Sequence, residues 1–209
     1  MRFTVGTPAA PQTVEIDWNS RARIGILLSG GLDSAVLLAA MLHVSRETGT
    51  PLKIQPFTIK KPDNSFQYVD AILGSMKTHY GVKVPAPIFV GDGTLSHAVI
   101  NRDATRDIFS RDLCDFLFFG LNQNPPETLP GGSAPNRPSD MGNPLLKAPL
   151  LPLYKNHILE LAIQLKREYL FLLTHTCTER ETGRCGACWQ CEERAWAFRQ
   201  VGIADPGMR

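Results

Sequence analysis

The stretch Ile24–Ser34, I-G-I-L-L-S-G-G-L-D-S, decides how this chain folds. Five mostly apolar residues run into Ser29-Gly30-Gly31, then Leu32, Asp33 and Ser34, before the apolar pattern resumes over Ala35–Leu42. A short apolar run, a glycine turn and a segment of helical period read as strand, loop and helix. The glycines let the backbone turn with positive φ and bring its amides close to a ligand. The next helix points unpaired N–H groups and the positive end of its dipole back at that loop. A plain strand-to-helix turn needs only a glycine pair and a capping Ser or Asp. Here Leu28–Leu32 supply amides, Ser29 and Ser34 add hydroxyl donors, and Asp33 is placed to hold Mg2+ or orient phosphates. The expected guest is an anion such as the pyrophosphate end of ATP. The stretch lacks the G-K-[ST] of a Walker A loop and the G-x-G-x-x-G of a dinucleotide fold.

The surrounding chain fits such a unit. Its 209 residues suffice for one sizeable domain with an appendage, and 43% hydrophobic and 20% charged residues are ordinary for a globular protein. A formal net charge of +2 gives no global pull toward nucleic acid or membrane. No apolar run approaches the roughly 20 residues of a membrane span, and the N-terminus lacks the apolar length of a signal peptide. With five cysteines, four of them clustered late in the chain, the composition suits metal thiolates in a reducing compartment, and a cytoplasmic protein is expected.

Phe3/Val5 and Val14/Ile16/Trp18 alternate about Pro8 and Pro11, predicting an N-terminal hairpin within residues 1–20. Residues 21–174 read as an alternation of strands and helices. The helices are predicted at Ala35–Arg46, Gln67–Tyr80, Arg102–Asp115 and Asn156–Lys166. Strands are predicted at Leu52–Ile59, Val82–Val90, Phe116–Leu121 and Leu170–Thr174, with Pro56 at a strand end or edge. Such alternation predicts a parallel sheet with helices on both faces. Asn122–Asn143, rich in proline and glycine, reads as a lid, a binding loop or a disordered segment. The charged run Arg102, Asp103, Arg106, Asp107 is either a solvated helix face or the source of one arginine gripping a phosphate or carboxylate.

Residues 175–209 hold the second strong signal. Cys177, Cys185, Cys188 and Cys191 are spaced C-x7-C-x2-C-x2-C, which lets four thiolates share one tetrahedral metal. Structural zinc is the expected occupant, an iron–sulfur cluster accepts the same ligands, and a redox C-x-x-C pair suits the context poorly. Cys114 reads as a small buried hydrophobe within a helix. The histidines, with His43 and His79 on helices, His97 and His157 near helix starts and His175 before Cys177, form no ligand set.

The loop resembles the S-G-G-x-D-S loop of the PP-loop ATP pyrophosphatases. With the cysteine tail, the chain is similar to the QueC family, the 7-cyano-7-deazaguanine synthases. A-P-L-L-P-L-Y-K (148–155), H-T-C-T (175–178), C-G-A-C-W-Q-C-E-E-R (185–194) and G-I-A-D-P (202–206) carry that likeness. The resemblance implies a Rossmann-like PP-loop fold with a small C-terminal zinc-binding region built on the four cysteines. It implies an ATP-dependent carbon–nitrogen ligase of queuosine biosynthesis that adenylates 7-carboxy-7-deazaguanine, releases pyrophosphate and AMP, and delivers the acyl group to a nitrogen nucleophile. On this reading Ser29–Leu32 amides hold pyrophosphate, Asp33 and Ser34 support it with Mg2+, Lys155 stabilises the leaving charge, and Arg102 or Arg106 contacts nucleotide or substrate.

Three departures limit the likeness. F-T-I-K-K-P-D-N (57–64) replaces the family's aromatic-Y-G-Q-x-H segment. The family's G-R-N has only Asn101-Arg102-Asp103 or Thr105-Arg106-Asp107 as counterparts. Its Y-P-D-C-R loop is replaced by Asn122–Asn143. ATP chemistry is thus expected to carry over while the acceptor stays open. A QueC-like enzyme of antiviral defence coupling a deazaguanine to a protein amine, or another PP-loop enzyme modifying tRNA, is the alternative. ATP and a small deazaguanine-like substrate are the expected partners, a homodimer and a protein acceptor stay open, and nucleic acid and membrane are not expected.

Overall fold

Ile24–Leu27 (β3) is fully buried because it is the middle strand of a parallel sheet covered on both faces. The structure, a computed structural model, describes residues 1–207, and the side chains of His97 and Ala98 lie outside that description. Arg2–Val5 (β1) and Gln12–Glu15 (β2) pair antiparallel as a separate hairpin. The main sheet has the order β5-β4-β3-β6-β7, from Ile88–Phe89 (β5), Ile54–Thr58 (β4), Phe116–Phe119 (β6) and Leu146–Lys147 (β7), all parallel. Successive strands step outward from β3 to one side and then, from β6, to the other. The switch point therefore lies between β3 and β6, where ligands collect in open α/β sheets.

Alternate residues of each strand serve different cores. Ile24, Ile26 and Phe118 face a large cluster built with Leu32–Thr48 (α1), Val69–Tyr80 (α2), Lys155–Gln164 (α4) and Trp189–Val201 (α6). Leu27, Phe57, Leu117 and Phe119 face a smaller one closed by Ile100, Ala104 and Ile108 of His97–Ser110 (α3). Helix α1 is apolar nearly all round because it lies between the sheet and a second layer of helices. Pro56 sits within β4 opposite Ile26, and β5 pairs only with Phe57 and Thr58 beyond it, so the missing N–H costs no ladder bond there.

Four expectations are corrected. Leu170–Leu173 is a single helical turn (α5), not a strand. Thr174 donates its hydroxyl back to Leu170 O at 2.8 Å, and the turn packs on α1 and α2. A four-residue apolar run carries no periodicity to separate the two outcomes, and the outer sheet position is taken by β7 instead. The third strand is only Ile88–Phe89, since Pro85 and Pro87 interrupt pairing before it. Helix α3 begins at His97 and ends at Ser110, earlier than its charged run suggested. Cys114 therefore lies after α3, ahead of β6, still buried, against the face left open by Gly25.

Candidate functional site

The β3 ladder continues one bond beyond the strand, Leu28 N–H donating to Phe57 O at 2.7 Å, and the chain then turns at Ser29-Gly30-Gly31. Gly30 has φ +81, and a Cβ there would lie 1.9 Å from Ser65 O, so only glycine fits. Gly31 caps α1 in an extended conformation with no side-chain capping bond. The Leu32, Asp33 and Ser34 amides consequently find no backbone acceptor among the described residues and face the loop. Ser29 and Ser34 brace the turn: Ser34 Oγ accepts the Ser29 N–H, Ser29 Oγ accepts the Gly31 N–H, and the hydroxyls meet, each at 3.2 Å. Gly120, at the end of β6, passes so close that a Cβ would stand 2.4 Å from Ser34 N.

Lys155 opens α4, whose start is fixed by the Tyr154 N–H donating to His157 Nδ1 at 3.3 Å. Its buried ammonium lies 2.5 Å from Asp33 Oδ2 and 3.4 Å from Glu193 Oε2. Glu193 is 1% exposed and takes two bonds from Arg137, at 2.6 and 2.9 Å, and one from Asn122 at 3.3 Å. Burial would push the Glu193 carboxyl up, but Lys155, Arg137 and Asn122 together hold it below the usual carboxylate value. Two acids and two bases thus form one neutral buried cluster. Asp33 Oδ1, also buried, has no partner within it. An unpaired carboxylate oxygen beside a row of amides is the donor expected of a site for a divalent cation with its phosphates.

Two clefts open on this arrangement. One lies over the switch point between Leu27, Ile59, Phe119 and Leu121, with Ser29, Ser34, Lys61 and Asn101 as its polar lining. The other holds Asp33, Lys155, Arg137 and Glu193 on one side and His175, Thr176 and Thr178 on the other. His175 donates its N–H to Gly30 O at 3.0 Å and stacks its ring on Tyr68 at 4.9 Å, tying the cysteine region to the loop.

Of the site residues expected from sequence, Ser29, Gly31–Ser34 and Lys155 line these clefts, and Gly30 shapes the turn between them. Leu28 does not: its side chain is fully buried in the core and its N–H is taken by Phe57 O. Nor do Arg102 and Arg106. Both are exposed on α3 and line neither cleft. Ile100, Ala104 and Ile108 anchor α3 to the sheet, and residues two positions from these point away from it by helical geometry. Among the described residues of α3, Asn101 reaches the first cleft. Lys61, Arg137 and Glu193 were missed. Glu193 stands inside the quoted cysteine segment but carried no signal separate from it, and Arg137 sits in an aperiodic loop. That loop, 122–143, crosses to α6, where a Cβ on Gly131 would meet Cys188 C at 2.8 Å.

The Cys177, Cys185, Cys188 and Cys191 sulfurs lie within 4.8 Å of one another. Four thiolates about 2.3 Å from one tetrahedral ion stand about 3.8 Å apart, and Cys185 and Cys191 are 3.9 Å apart. Amide N–H groups of Ala187 and Cys188 aimed at Cys185 pull its thiol down to about 6, while burial pushes Cys191 up to about 12. The set could hold a metal ion. Behind it the fully buried Arg194 binds Asp205 at 2.8 and 2.9 Å and Phe171 O at 2.6 Å, which accounts for the C-terminal D-P segment.

Comparison with known proteins agrees with this geometry. Residues 137–202 match the family described as queuosine biosynthesis protein QueC, and residues 11–81 match the asparagine synthase family. The 7-cyano-7-deazaguanine synthase of Methanospirillum hungatei is 27% identical over 218 residues, covering 86% of this chain and 96% of that one. That of Caldicellulosiruptor saccharolyticus is 39% identical over 61 residues, covering 29% of this chain and only 26% of that enzyme's length. A solved structure, the U34-tRNA thiolase NcsA of Methanococcus maripaludis with its [4Fe-4S] cluster, overlays at a TM-score of 0.45. It is 16% identical and the overlay covers 87% of this chain and 68% of that one, too loosely to bear on chemistry. None of the described helices is long and apolar enough to cross a membrane. The chain is therefore QueC-like over its C-terminal third and similar to the asparagine synthase family over its N-terminal part, with a full-length likeness to a 7-cyano-7-deazaguanine synthase at 27% identity.

Proposed function

We propose that this protein uses ATP to adenylate the carboxylate of a 7-deazaguanine-type acid, 7-carboxy-7-deazaguanine, for attack by a nitrogen nucleophile. The observation that carries this reading is the meeting of the loop amides, Asp33 and Lys155 in one cleft beside a cavity at the switch point. In the first step a carboxylate oxygen attacks the α-phosphorus, the bond from that phosphorus to the bridging oxygen breaks, and pyrophosphate leaves with the electron pair. The free amides of Leu32–Ser34 and the Lys155 ammonium then face the charge that builds on the leaving group. In the second step a nitrogen lone pair attacks the acyl carbon, AMP departs, and the nitrogen releases a proton. Asp33 Oδ1 would hold the Mg2+ that travels with ATP, whose chemistry is to neutralise phosphate charge. The four cysteines would hold a structural Zn2+, with all four positions filled by protein. On this reading residues 1–20 form an extension, 21–174 the nucleotide domain and 175–209 the metal-binding region.

The test is pyrophosphate release from ATP with and without 7-carboxy-7-deazaguanine, supplying ammonia or peptide amines as acceptors. Stimulated release with loss in Asp33→Ala supports the assignment. Release that ignores the acid, or survives Asp33→Ala, refutes it.

A further inference from the structure

Lys61 stands where three openings meet. It lines the switch-point cleft with Leu27 and Phe119, the cleft holding Asp33 and Lys155, and a third opening shared with Asp63, Leu95, Ser96 and Thr178. Its backbone is clamped from both sides. A Cβ on Gly93 would lie 1.8 Å from Lys60 O, and one on Gly30 would lie 1.9 Å from Ser65 O. Within the turn, Lys61 N–H donates to Ile59 O at 3.0 Å, Asn64 N–H to Lys61 O at 3.1 Å, and Ser65 N–H to Asp63 Oδ1 at 3.0 Å. The position is thus set by β4, by the phosphate loop and by the loop after β5 together.

The two cleft lysines differ in what already neutralises them. Lys155 is paired with Asp33 and Glu193. Lys61 makes no ion pair among the described residues, and burial pulls its ammonium below the usual lysine value, with Asp63 only partly opposing. An amine so placed gains most from an anion arriving at the junction of the clefts.

We propose that Lys61 binds the α-phosphoryl group of the nucleotide at this junction and holds it toward the incoming carboxylate. The inference rests on the nucleotide reading above. Lys61 keeps its proton throughout: the ammonium donates to a non-bridging oxygen while the bond to pyrophosphate breaks and the bond to the carboxylate oxygen forms.

The test compares binding of AMP and adenosine by calorimetry, since the pair differs only in the phosphoryl group assigned to Lys61. Wild-type protein is expected to prefer AMP. Lys61→Met is expected to cut that preference roughly tenfold or more, the share of a charge-assisted hydrogen bond, and Lys61→Arg to restore most of it. Because the readout is a ratio, a general loss of nucleotide affinity does not imitate the effect. Should Lys61→Met fail to fold, Lys61→Gln reads the same ratio. An unchanged ratio in the neutral variant overturns the role of Lys61 and leaves the nucleotide site standing. Absence of AMP binding by the wild type overturns both.

Discussion

Replacing Glu193 with Gln tests whether the buried cluster is as tightly balanced as its geometry implies. The change keeps size and the bond from Asn122 but removes the charge that answers Arg137 and half of that answering Lys155. Arg137 is 14% exposed and Lys155 6%, so water can do little to replace it. Deleting one partner of a buried pair costs about 3–5 kcal/mol. Lys155 keeps Asp33, so the lower end, about 3 kcal/mol, is expected. For a domain of this size that lowers the melting midpoint by roughly 6–12 °C. Thermal and urea melts of Glu193→Gln, Arg137→Met and the double variant give the coupling. Removing Arg137 as well should recover part of the loss, because the stranded charge goes with it. A single variant costing under about 1 kcal/mol, or strictly additive effects, would refute the account.

Other outcomes follow from the same structure. Glu193 and Asp205 are both held below their unfolded values. Their contribution is therefore full above the unfolded pKa and lost as pH falls through the folded one, so stability should drop below about pH 4, less steeply in Glu193→Gln. Gly30→Ala should abolish nucleotide binding or destabilise by more than about 2 kcal/mol, since the Ser65 carbonyl occupies the Cβ position and φ is positive; calorimetry and melts decide. Arg102→Ala should leave pyrophosphate release within about twofold, surface substitutions seldom costing more than about 0.5 kcal/mol; a loss beyond tenfold would return that arginine to the site. On the zinc reading proposed above, chelation should release close to one equivalent of zinc and expose four reactive thiols, Cys114 staying silent because burial pushes its thiol to about 11.

How much was legible in advance depended on whether a residue acts through local pattern or through folding. The loop at 29–34 and the cysteine spacing are local, so the turn and the gathering of four sulfurs could be read directly. Parallel pairing was legible from alternation, but Leu170–Leu173 was not, because four apolar residues suit a helical turn as well as a strand. Arg102 and Arg106 looked functional from charge and spacing, yet the face of α3 that meets the sheet is fixed by Ile100, Ala104 and Ile108. Arg137 could not be found at all. It comes from a loop without period, and its partner lies 56 residues away.

The bond between Lys155 and Asp33 joins residues 122 positions apart, and Arg137 waits on Glu193 in α6. Closing such long loops is slow, because chain entropy is lost before any contact rewards it. On the ribosome the phosphate loop emerges early, at a few residues per second or faster, yet its lysine and the glutamate behind it come much later. Residues 24–48 are therefore made well before the lysine that pairs with Asp33. A chain halted before α6 would lack Glu193, the acid that meets both Arg137 and Lys155, so the buried charge cluster is among the last features this protein completes.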